Sequence, residues 1–194
     1  MIRLLVEPLA IAIVLAFFVR STLRLYVIPS SSMAPTLVTG DHIVVMPYRF
    51  GSKPESGDVV VFQSPRAAGE LMVKRVIGTP GDLVESRDGH VVVRGHAIAE
   101  PYVAAQATTG AIAPQIIPAD CYFVLGDNRG DSLDSRSWGV LPRSSVLGRA
   151  RLVLWSSPQP VRSRERGEAA ASSPTLHVSL PTLPRSTRLF RLIQ

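Results

Sequence analysis

The 194-residue chain carries one cysteine, two lysines and four histidines, and each scarcity closes a route. A single cysteine, Cys121, excludes an intramolecular disulfide framework. It precedes Tyr122-Phe123-Val124-Leu125 and reads as a small buried core residue, with no histidine near it in sequence to activate a thiol. The histidines are His42, His90, His96 and His177, with no His-x-x-x-His spacing. Paired cysteines are missing too, and no carboxylate cluster occurs outside residues 127–134, so no metal and no cofactor is expected. His42 is the one histidine placed to tempt a Ser-His-Asp reading, and none of the four has an evident aspartate to orient it. The formal charge of +6 is also scarcer than it looks where it matters. Residues 1–157 hold 15 basic and 13 acidic side chains, whereas residues 158–194 hold six arginines against Glu165 and Glu168. The basicity belongs to the tail, and no nucleic-acid partner is expected.

Long amphipathic helices are absent after residue 28. What replaces them is a series of short β-branched runs, His42–Met46, Asp58–Phe62, Leu71–Ile77, Asp82–Glu85, His90–Arg94, Cys121–Leu125 and Leu147–Leu154. Turn residues bound them, and Asp88-Gly89 between two runs is a tight-hairpin signal. The pattern predicts a mainly β fold of coiled antiparallel sheets or a distorted β-barrel. Residues about 95–120, rich in Ala, Thr, Gly and Pro, read as a loop or small cap insertion. Residues 158–194, with five prolines and weak apolar spacing, read as a disordered basic tail whose Leu189–Ile193 end could touch a lipid surface.

The one long apolar run lies at the start. Residues 9–19 are wholly apolar, and a membrane span needs about 17–25 residues. Extending the run through Leu23, Leu25, Tyr26, Val27 and Ile28 supplies that length, with Arg20 and Arg24 snorkelling to the headgroups. Residues 1–28 are therefore expected to form a transmembrane helix and 29–157 a β-rich catalytic domain. A cleavable signal peptide is the alternative; a retained anchor is favoured because the stretch that follows looks functional. Arg3 before the run and Arg20 and Arg24 after it leave orientation open.

That stretch is Ile28-Pro-Ser-Ser-Ser-Met-Ala-Pro-Thr-Leu37. Two prolines stiffen it, and three serines between them suit a turn that points a hydroxyl and a backbone N–H at one atom. A serine-rich linker is the plain alternative, but it has no need of Met33, Pro35, Thr36 and Leu37. The lysines then discriminate. Lys53 lies in an exposed-looking Gly-Ser-Lys-Pro-Glu turn, whereas Lys74 sits inside an apolar strand, on one face with Met72 and Val76. Burial there disfavours the ammonium, and a pKa lowered by ~2–3 units makes the amine a usable base. An edge lysine that reaches out to water is the competing reading.

The serine stretch resembles the serine box of type I signal peptidases, Pro-Ser-x-Ser-Met-x-Pro-Thr-Leu. Lys74 and the run Gly126-Asp127-Asn128-Arg129 through Ser132, Asp134, Ser135 and Arg136 resemble two further boxes, in the family's order. The resemblance covers roughly residues 4 to 157, and Gly130 departs from it where the family often has Asp. It implies a membrane-bound serine endopeptidase that removes signal peptides, with Ser32 as nucleophile and Lys74 as general base. Ser30 Oγ and the Ser32 N–H would hold the oxyanion, Ser132 would orient the Lys74 ammonium, and Asp134 and Arg136 would support the loop. It further implies the signal-peptidase type of β fold, exported preproteins and a phospholipid membrane as partners, and a monomer. The location implied is a bacterial cytoplasmic membrane, single-pass, with the catalytic domain outside. A specialised pilin-type maturation peptidase and an inactive membrane-anchored β binding module are the alternatives carried forward. A self-cleaving repressor-type Ser-Lys peptidase would need a DNA-binding domain where the apolar segment stands.

Overall fold

Valine and isoleucine runs separated by glycine turns favour extended backbone, and antiparallel pairing satisfies their N–H and C=O groups locally. The computed structural model describes residues 6, 8–14, 17, 23–67, 69–104, 107–156 and 191–193. Among them the chain forms β1 (Arg24–Val27), β2 (Asp41–Met46), β3 (Val59–Gln63), β4 (Leu71–Gly78), β5 (Leu83–Arg87) and β6 (His90–Val93). There follow β7 (His96–Ala97), β8 (Gln115–Ile116), β9 (Cys121–Leu125), β10 (Leu141–Pro142), β11 (Val146–Ser156) and β12 (Arg191–Leu192). A one-turn helix, Ser135–Trp138, precedes β10.

The strands make two antiparallel sheets. The larger has the order β1-β2-β11-β3-β4-β9-β10, with β12 also paired to β11, and the smaller the order β7-β6-β5-β8. The larger sheet is open between β1 and β10, so the expected distorted barrel does not close. Its long strand β11 holds it together by pairing with β2, β3 and β12. Register shifts between Ala150 and Leu152 and between Val153 and Trp155 bend that strand and coil the sheet. In the smaller sheet Arg87 pairs with His90 across Asp88 and Gly89, both at positive φ, which is the conformation a two-residue hairpin demands.

Among the described residues, three apolar clusters fill the interior. Ile43, Val45, Val59, Val61, Ala150 and Val153 form one with Ile28, Met33 and Leu37 of the serine stretch. The smaller sheet packs Val84 and Val91 against Ile77, Ile117 and Phe123. Val60, Phe62, Val76, Tyr122, Val124 and Leu141 make the third. The first cluster matters most for function, because Met33 and Leu37 anchor the backbone immediately after Ser32.

Three expectations need correcting. Residues 24–27 are not the end of a transmembrane helix but strand β1, registered Arg24 to Val45 and Val27 to His42. An apolar run shows no period that separates the end of a helix from a following edge strand. Residues 8–14 are helical, and among the described residues no helix is long and apolar enough to cross a membrane. Of the expected span, residues 1–5, 7, 15, 16 and 18–22 lie outside the described residues. Residues 95–120, expected as a loop or small cap insertion, are not only that, since they supply β7 and β8 to the smaller sheet. Most of the tail, 157–190, is likewise outside the described residues, yet its end is docked. Arg191 and Leu192 pair with Val153 and Leu152, and the Ile193 N–H donates to the Arg151 carbonyl at 3.0 Å. Ile193 is 7% exposed and packs in the cluster of Met33 and Leu37 rather than facing lipid.

Candidate active site

The serine stretch leaves β1 at Ile28, whose N–H donates to the Asp41 carbonyl, and folds into consecutive tight turns. Ala34 N–H donates to the Ser31 carbonyl and Leu37 N–H to the Met33 carbonyl, both at 2.9 Å. With Met33 and Leu37 buried, Ser32 stays half-buried, its hydroxyl at the surface of the core. The second element is β4, where Lys74 lies opposite Val60 and is 2% exposed. Its Nζ donates to Ser32 Oγ at 2.5 Å, a contact between residues 42 apart in sequence.

Burial pulls the Lys74 pKa from its ordinary 10.5 to about 8. Asp134, Asp127 and Asp131 pull against that change, and Arg136 adds to it. Desolvation wins because Lys74 forms no ion pair with any of these carboxylates among the described residues, whereas Arg75 pairs with Asp127 and Arg136 with Asp134. Arg75 donates to Asp127 Oδ1 at 2.9 Å and Oδ2 at 2.8 Å. Arg136 donates to Asp134 Oδ1 at 2.8 Å and Oδ2 at 2.7 Å. Arg129 makes a forked pair with Glu100, its side chain fully buried. Two-pronged guanidinium–carboxylate bonds suit buried sites, since both charges keep hydrogen-bonded partners after leaving water.

These pairs fix the Gly126–Asp134 loop, which in turn holds the serine turn. The Asn128 N–H donates to the Ser32 carbonyl at 3.1 Å and Asn128 Nδ2 to the Ser31 carbonyl at 3.3 Å. Ser31 Oγ donates to Asp131 at 2.9 Å. Gly126 is needed because a Cβ there would lie 2.1 Å from Ser132 Oγ and 2.5 Å from the Ser32 carbonyl oxygen. Gly130 faces open space, and its missing carboxylate disturbs none of these bonds.

Ser30 Oγ lies 3.3 Å from Ser32 Oγ, on the exposed side of the turn. Ser132, expected to orient the Lys74 ammonium, instead donates to Asp134 Oδ2 at 2.7 Å, and no hydrogen bond joins it to Lys74 among the described residues. A buried carboxylate competes well for a neighbouring hydroxyl. Asp134 also accepts from the Gly126 N–H at 3.0 Å and caps the Ser135–Trp138 helix. Burial alone would raise its pKa; the bonds from Arg136, Gly126 and Ser132 and the Arg136 charge hold it below the ordinary carboxylate range. His42 stacks on Trp155, ring centroids 4.3 Å apart.

Sequence reasoning missed Arg75, Asp127, Arg129 and Glu100 as a network. A signal existed for the first, an arginine inside the same apolar strand as Lys74. None existed for Glu100, which sits in a loop without period.

The chain is similar to known proteins over most of its length. A family model described as signal peptidase, peptidase S26, matches residues 2–155. A probable signal peptidase I-2 from Synechocystis is 39% identical over 161 residues, covering 79% of this chain and 73% of that protein. A signal peptidase I from Leptolyngbya laminosa is 36% identical over 160 residues, covering 77% and 78%. The solved signal peptidase I of Enterococcus faecalis is 33% identical, with a TM-score of 0.46 over 50% of this chain and 97% of that one.

Proposed function

Because the chain belongs to the signal peptidase family, peptidase S26, we infer that it is a serine endopeptidase removing signal peptides from preproteins through a Ser32–Lys74 dyad. One observation carries the dyad: among the described residues, the one buried cation near the serine turn without a carboxylate of its own lies 2.5 Å from Ser32 Oγ. With a pKa of about 8, roughly one lysine in ten is neutral at pH 7, against one in a few thousand for an unperturbed side chain.

In the neutral state the Nζ lone pair takes the Ser32 hydroxyl proton as Oγ attacks the scissile carbonyl carbon. The resulting oxyanion turns toward the Ser32 N–H and the Ser30 hydroxyl. The Lys74 ammonium then gives its proton to the leaving amine, and the regenerated amine activates water to hydrolyse the acyl-serine ester. The aspartates that hold Lys74 up at about 8 rather than lower stabilise the ammonium formed in each half-reaction.

The substrate is an extended peptide. β9 pairs with β4 only from Arg75 onward, which leaves the Leu71–Lys74 edge of β4 open to an added strand beside Ser32. Residues before β1 would anchor the protein in the bacterial cytoplasmic membrane as a single pass, with the catalytic domain outside and the membrane-borne preprotein delivered to that edge. Incubating a model preprotein with the full chain in detergent tests the reading. Cleavage after a small-x-small site, lost in Ser32→Ala and in Lys74→Ala, is the expected result. Full activity in either variant overturns the dyad.

A further inference from the structure

Arg75 follows the base in β4 and is among the largest fully buried side chains of the protein. Its edge is saturated by Asp127, by the Gly57 carbonyl at 2.9 Å and by Thr36 Oγ1 of the serine stretch at 3.5 Å. Its face is covered by the ring of Tyr102, with the guanidinium carbon 3.9 Å from the ring centroid. Tyr102 belongs to the loop between β7 and β8, the segment whose composition suggested a loop or small cap insertion. The same loop supplies Glu100 to Arg129, the Thr109 hydroxyl to Arg129 at 2.5 Å and the Thr109 carbonyl to Arg136 at 2.6 Å. One loop therefore touches all three arginines that brace the serine turn and its neighbouring loop.

We propose that Tyr102 is a positioning residue for the Ser32–Lys74 dyad: by covering the Arg75 guanidinium it keeps the Arg75–Asp127 pair dry and closed. The inference rests on the dyad reading above. A guanidinium over an aromatic face is attracted by the ring quadrupole, most strongly where water is excluded. The pair beneath has two consequences for the dyad. Asp127 carries Gly126 and Asn128, and Asn128 bonds the Ser31 and Ser32 carbonyls. Asp127 is also one of three carboxylates acting on Lys74, with Asp134 and Asp131, while Arg136 opposes them.

Removing the ring lets water reach Arg75. The guanidinium then neutralises Asp127 less completely, and Lys74 feels more negative charge and less desolvation. Both changes favour the ammonium, so its titration moves to higher pH. Tyr102 itself does not ionise in the working range, because burial and then Glu100 push its phenol up, against the lowering by Arg75 and Arg129.

The test is Tyr102→Leu against Tyr102→Phe in the full chain in detergent, read twice. Only Lys53 and Lys74 contribute lysine signals, so carbon-13 lysine labelling follows the Lys74 amine directly, with Lys53→Arg to assign it. We expect the Lys74 midpoint in Tyr102→Leu to rise by about half to one unit, which cuts the neutral fraction at pH 7 by about three- to tenfold. kcat on a model preprotein falls by about the same factor, with KM within about twofold. Tyr102→Phe, which keeps the ring, restores both. Where the leucine variant does not fold, Tyr102→Met carries the same expectation. An unmoved midpoint in the folded variant overturns the proposal, as does a phenylalanine variant no better than leucine. A shifted midpoint in a protein that cleaves no preprotein leaves the positioning role standing and removes the peptidase reading. Normal cleavage with an unmoved midpoint does the reverse.

Discussion

Replacing Lys74 by methionine should make the protein more stable at pH 7 while stopping turnover. The amine titrates at about 8 in the folded chain and near 10.5 when unfolded. Below pH 8 both states hold the proton, and the folded state carries the whole penalty of a desolvated ammonium, about 3 kcal/mol. Between pH 8 and 10.5 only the unfolded state holds it, so wild-type stability rises with pH until the penalty is gone. Methionine has similar length and no charge, and it loses the bond to Ser32 Oγ, about 1 kcal/mol. The net gain at pH 7 is about 2 kcal/mol, or a melting temperature roughly 4–8 °C higher for a chain of this size. Thermal melts of wild type and Lys74→Met at pH 7, 8.5 and 10 measure it. A methionine variant no more stable at pH 7, or a gain that fails to shrink toward pH 10, refutes the claim that burial sets the lysine pKa.

The remaining expectations concern neighbouring groups. The wild-type kcat should climb about tenfold per pH unit up to pH 8 and level off above it, as titration of a base at about 8 requires; a limb near 10.5 would contradict the lowered pKa. Asp134→Asn breaks the buried pair with Arg136 and should cost about 3–5 kcal/mol by denaturant melts. It also removes the carboxylate that raises the Lys74 pKa most, so the acid limb of surviving activity should move to lower pH. Ser30→Ala should lower kcat by about 10²–10³ with little change in KM if its hydroxyl holds the oxyanion. Ser132→Ala should leave the Lys74 midpoint nearly in place and cost about 1 kcal/mol of stability, since the hydroxyl serves Asp134.

How much of this was legible before the structure depends on the distance over which each feature is encoded. Strands β2 to β6, β9 and β11 were readable because β-branched runs and glycine turns are local signals. Lys74 stood out because a lysine amid valines violates the local pattern, and Ser32 because the serine stretch fits neither strand nor helix. Strand β1 was hidden by apolar residues continuous with the run before it. Strand β12 was hidden because its two residues gain their conformation only from Val153 and Leu152, far away in the chain. Loop residues Glu100, Tyr102 and Thr109 carry no periodicity at all. Their meaning comes from arginines about 20 to 30 positions away, or in β4, that only the fold brings near. The partner of Ser132 was misread for a related reason, since the choice between an amine and a carboxylate is a matter of geometry.

The buried charges share one logic. Among the described residues four buried or half-buried cations surround the serine turn and the loop beside it, and three are arginines, each clasped by a carboxylate of its own. Arginine cannot shed its proton in a protein, so burying it demands a partner, and the forked geometry makes that partner rigid. The fourth is lysine, which can shed its proton, and it is the one given a hydroxyl in place of a carboxylate. Exchanging the two residue types would defeat both tasks: a lysine at position 75 could not span both oxygens of Asp127, and an arginine at 74 could never become a base. The same low-dielectric interior thus locks the loop through three permanent charges and loosens the proton on the fourth.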